Sequence, residues 1–551
     1  MNTLPDRPHL GHLKKQAKEL IRRYRARDPG AMAQFRDALP AAAGRSDDEV
    51  AALDLRLHDA QSCVARSYGF VSWADLASYV EGRSVAFDDR TAHVLHWLGL
   101  VYAADVDGGA DRAFPGVAAR MLAEHPGLAS GDPYIACAVG DEGALRLATR
   151  HDPAWVGRPG GPLRLPPLVA VAHSSLLQVA EFREGLHRSA RFLLAAGADP
   201  NQRIGSRWPP GSVSEPDDDH PLSALYGAAG RNHDPELTKM LLDARADPND
   251  NESLYHSLED RSPEKHCTRL LLENGARVVG SNAIFRVFDF DDVAALKLLL
   301  AHGADPNERA GNPPLTDWGS PLLWAINRRR SRRHIEALLR AGADPTVTTP
   351  GGTTPYALAL EFGLGEVADL LRERSGAEPI SQETAFVAAC ARGDEAEARR
   401  IRAGRPEWPA ALPQARLRLL PDMAAAGADE GVRVMVKLGW PIAVRGGDWS
   451  ASALNHAVFR GDAGLARFLL EHGASWQEEH GYGDNACGTL SWASCNEPVA
   501  GGDWAGCAQA LLDHGMPGAT PDPEDPGWIR IDGRRKRFSE EVSEVLLGKA
   551  Q

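Results

Sequence analysis

The sequence predicts an all-α protein made of stacked pairs of short helices, and three observations lead to that prediction. A short phrase recurs along the 551-residue chain: an apolar pair, any two residues, then Gly-Ala-Asp-Pro-Asn or a decayed copy. The copies recur at a mean spacing of about 35 residues, which is typical of a helix-pair repeat. Apolar residues at three-to-four spacing precede each copy, which indicates a short amphipathic helix.

Composition excludes several classes of protein. Apolar residues make up 43% of the chain, too many for a disordered polypeptide, and the net charge of −14 argues against a whole-surface nucleic-acid binder. No window approaches the 18 or more apolar residues that span a bilayer. Lys14, Lys15 and Lys18 lie where a signal peptide needs its apolar stretch. We therefore expect a soluble cytoplasmic protein, without membrane association and with reduced cysteines.

The recurring phrase predicts how each second helix ends. Gly takes the left-handed conformation that stops a helix, Pro fixes φ, and Asp and Asn bond their own backbone as the chain turns away. The clearest copies contain Gly197, Asp199, Pro200 and Asn201; Gly303, Asp305, Pro306 and Asn307; Gly342, Asp344 and Pro345; and Gly473. The predicted closing positions are 197, 245, 275, 303, 342, 376, 404, 439, 473 and 515.

Upstream of each closing helix, a small-residue turn opens a first helix. Ser320-Pro321 and Thr354-Pro355 are examples, because Ser or Thr caps the first turn and Pro is tolerated at the first helical position. Gly427 imitates a closing glycine, but it lies 12 residues before Gly439, as Gly461 lies before Gly473. That register places Gly427 in a loop between two helices.

This succession of turn, helix, loop, helix and Gly-Ala-Asp-Pro-Asn resembles the ankyrin repeat. The resemblance covers residues 166–517, and degenerate copies extend back towards residue 90. Among these copies, residues 120–126 and 145–153 look like second helices stopped by His-Pro or Asp-Pro. It implies an ankyrin-type helical solenoid. We predict a leader at 1–82, degenerate repeats at 83–165, the array at 166–517, and a turn with a capping helix at 518–551.

Both ends carry helices without the phrase. Residues 10–24 predict an amphipathic helix, a second stretch starts at Leu53, and Ser72 caps a third helix that holds Trp73. This segment looks like the helical leader of bacterial ankyrin proteins, and it serves as a terminal cap. Residues 518–530 predict turns, and a closing helix follows from Phe538 to Leu547.

No reaction chemistry is predicted. Cys487, Cys495 and Cys507, with His480 and His514, lack the close ligand pairs that zinc sites use, so buried structural cysteines are favoured over a metal site. Phosphate-loop, nucleophile-elbow and H-E-x-x-H motifs are absent from the sequence. We therefore predict no catalytic residue, no metal and no cofactor.

Basic clusters occur at 7–36, 328–333 and 534–537. The first is interpreted as the solvated face of a helix, and the second as an exposed loop between two helices. Because the chain is acidic overall and carries no nucleic-acid reader motif, we predict an acidic protein partner rather than a nucleic acid.

A solenoid of helix pairs offers a wide concave surface made of turns and first helices. The resemblance implies that partners contact turn tips and first helices. The candidate contact residues are Gln202, Arg203, Asp250, Glu308, Arg309, Trp318, Val347, Thr348, Arg445 and Trp449. We predict a non-catalytic, monomeric scaffold for an unidentified protein; the alternative is a structural or self-associating regulatory module without a partner groove.

Overall fold

The structure is a computed structural model. It describes residues 4–5, 8–53, 55–84, 89–109, 112–208, 216–309, 319–376, 379–496, 498–499, 501–523 and 528–548. The chain divides into two compact units, Met1–Arg286 and Val287–Gln551, and each is described by itself. The predicted limits at residues 82, 165 and 517 stay predictions.

The first unit opens with five helices. They are α1 (Leu10–Arg25), α2 (Pro29–Ala38), α3 (Asp47–Ala51), α4 (Leu57–Ser67) and α5 (Trp73–Ser84). The predicted apolar stripe of α1 is buried from Leu13 to Tyr24. Ser72 caps α5 as predicted, because its hydroxyl accepts the Asp75 N–H while the Asp75 carboxylate accepts the Ser72 N–H. Helices α2 and α3 were not predicted.

The degenerate region is helical. It contains α6 (Arg90–Val101), α7 (Ala104–Asp107), α8 (Pro115–Glu124), α9 (Pro133–Val139) and α10 (Glu142–His151), with 3-10 turns at Pro126–Ala129 and Pro153–Gly157. The two predicted second helices are confirmed as α8 and α10. Each ends at or next to the residue that precedes a proline, which cannot continue a helix.

Helix pairs follow in the first unit. They are α11 (Pro167–Ala172) with α12 (Ala180–Ala195), α13 (Ala224–Tyr226) with α14 (Pro235–Asp243), and α15 (Ser253–Ser257) with α16 (His266–Glu273), followed by α17 (Ala283–Arg286). A 3-10 turn at Ser175–Gln178 follows α11, and α13 continues into a π-helix at Gly227–Arg231.

The second unit begins with a 3-10 turn at Val287–Asp289 and α18 (Val293–Ala301). Its pairs are α19 (Pro321–Asn327) with α20 (Arg332–Arg340), α21 (Pro355–Glu361) with α22 (Gly365–Ser375), α23 (Gln382–Ala391) with α24 (Glu395–Arg402), α26 (Leu419–Ala425) with α27 (Asp429–Lys437), α28 (Ala453–Phe459) with α29 (Ala463–Glu471), and α30 (Ala486–Asn496) with α31 (Trp504–Asp513). The remaining helices are α25 (Gln414–Leu417) and α32 (Glu540–Leu546).

Over much of both units, the first helices of consecutive pairs pack on each other, and so do the second helices. Each first helix contacts the first helix of the next pair in three series, which are α11, α13 and α15; α19, α21 and α23; and α26, α28 and α30. Consecutive second helices also contact each other in three series, which are α12, α14 and α16; α18, α20 and α22; and α27, α29 and α31. The apolar stripes are buried in these contacts, as in Leu237 and Leu241 of α14.

The predicted closing positions, all of which the structure describes, lie one or two residues beyond the end of a helix. The left-handed φ is confirmed at most of them, with +93° at Gly197, +88° at Gly303, and +97° at Gly342 and Gly473. The predicted left-handed conformation is wrong at Gly404, because this residue has no positive φ. There α24 ends through Ala403, which keeps right-handed helical angles.

The asparagine of the closing phrase bonds the next turn and not its own backbone, which corrects the prediction. Asp199 does bond its own turn, since its carboxylate accepts the Asn201 N–H at 2.9 Å. The Asn201 side-chain oxygen instead accepts the N–H of Asp247, the next closing turn, at 2.8 Å. Asn307 acts in the same way towards Asp344 at 2.7 Å. We call these contacts the asparagine bridges.

Short strands correct the all-α expectation. β1 (Arg203–Ser206) pairs antiparallel with β2 (Asp217–Ser223), and β3 (Arg445–Gly446) with β4 (Ala451–Ser452). β5 (Thr520–Pro521), β6 (Ile529–Ile531) and β7 (Arg534–Lys536) form a three-stranded sheet, and β5 and the start of β6 lie within residues 518–530, where only turns were expected. Asp532 and Gly533 both have positive φ between β6 and β7, as a two-residue hairpin turn requires.

The predicted closing helix is confirmed as α32. Ser539 caps it by accepting the Val542 N–H, and Val542 and Leu546 are buried where α32 packs on α31. Among the described residues, no helix is long and apolar enough to cross a membrane.

Candidate functional site

The predicted tip residues of the first unit differ in exposure. Arg203 is exposed at the start of β1. Gln202 is buried: its amide donates to the Val156 carbonyl at 2.7 Å and accepts the Leu168 N–H at 3.2 Å. The Asp250 carboxylate accepts from the backbone and hydroxyl of Ser253 in its own turn, and from the hydroxyl of Ser223, which directly precedes α13. Gln202 and Asp250 therefore hold neighbouring turns together and do not offer free tips.

The second unit shows the same mixture. Glu308 is buried, whereas Arg309 and Thr348 are exposed and Val347 is half-buried. Trp318 lies outside the described residues. Sequence position alone did not distinguish Glu308 from Arg309, because burial of a turn residue depends on how the turn packs.

Arg445 and Trp449 are brought together in the hairpin of β3 and β4. The Arg445 guanidinium donates to the Ser450 carbonyl at 2.8 Å and stays exposed. The half-buried Trp449 ring lies edge-on to His456, with ring centroids 4.8 Å apart, and to His480 at 5.1 Å. The Gly481 N–H donates to the Trp449 carbonyl at 2.8 Å, so this tip is bonded to the next one along the chain.

Trp449 belongs to a larger aromatic surface that the sequence reasoning missed. Its ring lies 5.7 Å from Phe459, and Phe459 stacks on Trp492 at 5.5 Å with the planes 8° from parallel. Trp492 is 53% exposed and Tyr482 is 82% exposed. We call Trp449, Phe459, Tyr482 and Trp492 the aromatic face.

Helix periodicity could have found Trp492. In α30 the buried residues include Ala486, Leu490 and Ala493, which recur at three-to-four spacing. Trp492 falls outside that stripe and so lies on the outward side of the helix. A contiguous patch of exposed apolar side chains often marks an interaction site.

The centre of the aromatic face is uncharged. Burial lowers the pKa of His456 to about 4, and burial also lowers the pKa of His480. At neutral pH both rings are therefore neutral, and His456 Nε2 donates to the Gly446 carbonyl at 3.3 Å. The face presents ring surfaces and not imidazolium charges.

A basic strand adjoins α30. The Ser491 hydroxyl of α30 donates to the Arg537 carbonyl at 2.6 Å, directly after β7. Arg534 and Arg537 are exposed, and the Asp484 carboxylate pairs with Lys536 at 2.6 Å and with Arg534 at 3.6 Å. The 534–537 cluster thus places exposed positive charge on the segment bonded to the helix that carries Trp492.

The 328–330 cluster is not an exposed basic patch, which corrects the prediction. Arg328 lies over the Trp324 ring at 4.2 Å and pairs with Asp289 at 3.1 Å and Asp448 at 2.8 Å. Arg329 donates to the Phe362 carbonyl. Burial lowers the pKa of both Arg329 and Arg330. These guanidiniums serve contacts within the unit.

The cysteines near the C-terminus are a mixed group. Cys487 and Cys507 are buried, and burial raises the pKa of Cys487 to about 12. Cys495 is exposed, which corrects the expectation of a buried cysteine. Within the described part of the chain, no three His, Cys, Asp or Glu side chains are grouped so that they could hold a metal ion.

The chain is similar to the human ASB11 ankyrin repeat domain, known from a crystal structure, with 21% identity over 42% of this chain and 98% of that chain, at a TM-score of 0.20. A likeness at that TM-score carries no inference about this chain. No family model matches the chain, and no curated protein matches it.

Proposed function

We propose that this chain is a non-catalytic ankyrin-type solenoid that binds a partner protein through the aromatic face. The observation that carries the proposal is the exposure of Trp492 and Tyr482 beside the packed rings of Trp449 and Phe459. Aromatic side chains dominate the binding energy of protein interfaces, since each buries a large apolar area with few rotatable bonds. The bacterial type and the cytoplasmic location stay predictions.

The partner that fits is an acidic segment with apolar side chains. The apolar residues would cover the rings of Trp492 and Tyr482, while carboxylates approach Arg445, Arg534 and Arg537. Complementary charge raises the association rate and excludes basic competitors. The proposed contact residues therefore include Arg445 and Trp449, with Arg203, Arg309, Val347 and Thr348 as further tips. They leave out Gln202 and Asp250, which are bonded internally, and Glu308, which is buried.

A random peptide library selected on the full chain tests the proposal. We expect enriched peptides that combine Asp or Glu with apolar residues, and an affinity at least about tenfold lower for Trp492→Ala. Trp208→Ala is the matched control, because Trp208 is also 53% exposed and lies in the other unit. Raising the salt from about 0.05 to 0.5 M is expected to weaken binding.

Two outcomes contradict the proposal. One is enrichment of peptides without acidic residues, and the other is equal affinity for the wild-type chain and Trp492→Ala. The alternative, self-association, is tested by light scattering after size exclusion. We expect the 59.3 kDa of one chain; a mass of two chains that falls in Trp492→Ala would favour self-association through the same face.

A further inference from the structure

A cleft of about 770 Å³ lies in the first unit, apart from the aromatic face. Its floor carries His173, Tyr226 and His256, which lie in or directly after three consecutive first helices, α11, α13 and α15. Trp208, two residues after strand β1, lines one wall, and Asp105 of α7 lines another. Clefts of this volume hold small molecules of drug size.

The π-helix builds the floor. A Cβ on Gly227 would lie 2.5 Å from Cδ2 of His173, and a Cβ on Gly230 would lie 2.9 Å from Cβ of His256. Only glycine allows neighbouring first helices to approach this closely. As a result the Tyr226 ring lies between His173, at a centroid distance of 5.6 Å, and His256, at 5.1 Å. π-Helical segments are frequent at functional sites.

The walls are attached to each other by hydrogen bonds. The Arg207 N–H donates to the Asp105 carbonyl at 2.8 Å, and its guanidinium donates to the Val106 carbonyl at 2.7 Å, so β1 is held on α7. From the floor, Arg231 donates to the Asp105 carboxylate and, at 2.7 Å, to the Tyr226 hydroxyl. These contacts fix the cleft before any ligand enters.

The cleft contains buried acceptors that no described group satisfies. His173 is 2% exposed, and its Nε2 contacts the Ser223 carbonyl at 2.8 Å. Burial lowers the pKa of His173 to about 4, so the ring is neutral and Nε2 carries its single proton. Nδ1 of His173 is then an acceptor, and it lacks a hydrogen-bond partner. Oδ1 of Asp105 and the hydroxyl of Ser175, which is 3% exposed, are also buried and lack a hydrogen-bond partner.

The charged groups of the floor are already paired. Arg231 bonds Asp105. His256 lies 3.1 Å from Glu252 and 2.7 Å from Glu259, and Arg286 also bonds Glu259. Burial lowers the pKa of His256, but the two glutamates outweigh burial and raise it to about 9, so this ring is charged at neutral pH. A charged ligand on this floor would have to break one of these pairs, whereas a neutral ligand would not.

We infer that this cleft binds a neutral aromatic heterocycle with an amino group, such as a purine nucleoside. The ring stacks on Trp208 at the mouth of the cleft, and the amino N–H groups donate to His173 Nδ1 and Asp105 Oδ1. Stacking on an exposed indole is effective because every face of a base carries π electrons. The cleft binds this ligand without transforming it.

Calorimetric titration of the full chain with adenosine tests the inference. We expect a Kd below about 1 mM. N6,N6-dimethyladenosine keeps the ring but lacks the amino N–H donors, and we expect its affinity to be at least about tenfold lower because buried acceptors stay unpaired. Adenosine monophosphate is expected to bind no more tightly than adenosine, since the cationic groups of the floor are paired.

Trp208→Ala is expected to weaken adenosine binding at least about fivefold. Trp492→Ala, equally exposed but in the other unit, is the matched control and is expected to bind adenosine as the wild type does. An unchanged thermal midpoint for Trp208→Ala shows that the variant is folded. Absence of adenosine binding at about 5 mM, equal affinity for the dimethyl compound, tighter binding of the monophosphate, or equal loss in both tryptophan variants would each overturn the inference.

Discussion

The side chain of Asn307 bonds the backbone on both sides of Ala343. Its oxygen accepts the Asp344 N–H at 2.7 Å, and its amide donates to the Gly342 carbonyl at 2.9 Å. The Asn249 side chain makes the same kind of contact with the Arg277 N–H at 2.9 Å. The asparagine bridges therefore link a closing turn to its successor in both units.

Removing one bridge tests its contribution to stability. Asn307→Ala is expected to lower the free energy of unfolding by about 1–2 kcal/mol, because two backbone groups lose their partner. Asn307→Asp keeps the acceptor and loses the donor, so its loss is expected to be smaller. Urea unfolding measures both. Thr348→Ala, at an exposed tip, is the control and is expected to stay within about 0.5 kcal/mol of the wild type; an equal loss there would contradict the assignment.

Closing glycines differ in what they tolerate. Gly342 has φ +97°. Gly342→Ala is expected to lower the free energy of unfolding by about 1–2 kcal/mol, since a Cβ is strained in the left-handed region. Gly404 is exposed and has no positive φ. Gly404→Ala is therefore expected to change the free energy of unfolding by no more than about 0.5 kcal/mol. Denaturant midpoints of the two variants give the comparison. Similar losses at both positions would refute the conformational explanation.

The stability of the first unit is expected to depend on the protonation of His256. Its pKa is about 9 in the folded chain and near 6.5 without its partners, so the stabilisation is fully present below pH 6.5 and is lost as the pH rises through 9. We expect the free energy of unfolding to fall by about 3 kcal/mol over that window. His256→Gln is expected to flatten this part of the profile. An identical slope in the variant would exclude His256 as the cause.

Arg328 and Asp448 are 120 residues apart in sequence and bonded at 2.8 Å. A double-mutant cycle of Arg328→Ala and Asp448→Asn is expected to give a coupling of about 0.5 kcal/mol, because the pair is partly exposed. About 0.5 M salt is expected to reduce that coupling. Arg340→Ala with Asp448→Asn is the control cycle, since Arg340 is paired with Glu336. Coupling in the control as large as in the test pair would mean a general charge effect.

Local signals predicted much of the fold. A glycine in the left-handed region, a proline that ends a helix and an apolar stripe all act within a few residues, so α8, α10, α32 and the closing turns could be predicted from the sequence. The sheet of β5 to β7 also left a local signal, in the alternation of Ile529, Arg530 and Ile531 before Asp532-Gly533.

Tertiary contacts account for what could not be predicted. Whether Gln202 is a tip or a buried bond depends on Val156 and Leu168, which lie at distant positions. The 328–330 arginines form an apparent basic patch in sequence because Asp289, Phe362 and Asp448 are remote from them. For the candidate site, Trp449 was predicted, but its neighbours Phe459, Trp492 and Tyr482 belong to other turns and helices.

The contacts of Arg231 with Asp105 and of Arg328 with Asp448 bypass the intervening helix pairs, joining residues 126 and 120 positions apart. An array whose members touch only their neighbours melts like a one-dimensional chain, fraying from its ends. A bond that closes a long loop raises the free energy needed to open an enclosed helix pair by no more than the strength of that bond. We therefore expect the helix pairs enclosed by these two contacts to resist a protease slightly more than the pairs outside them.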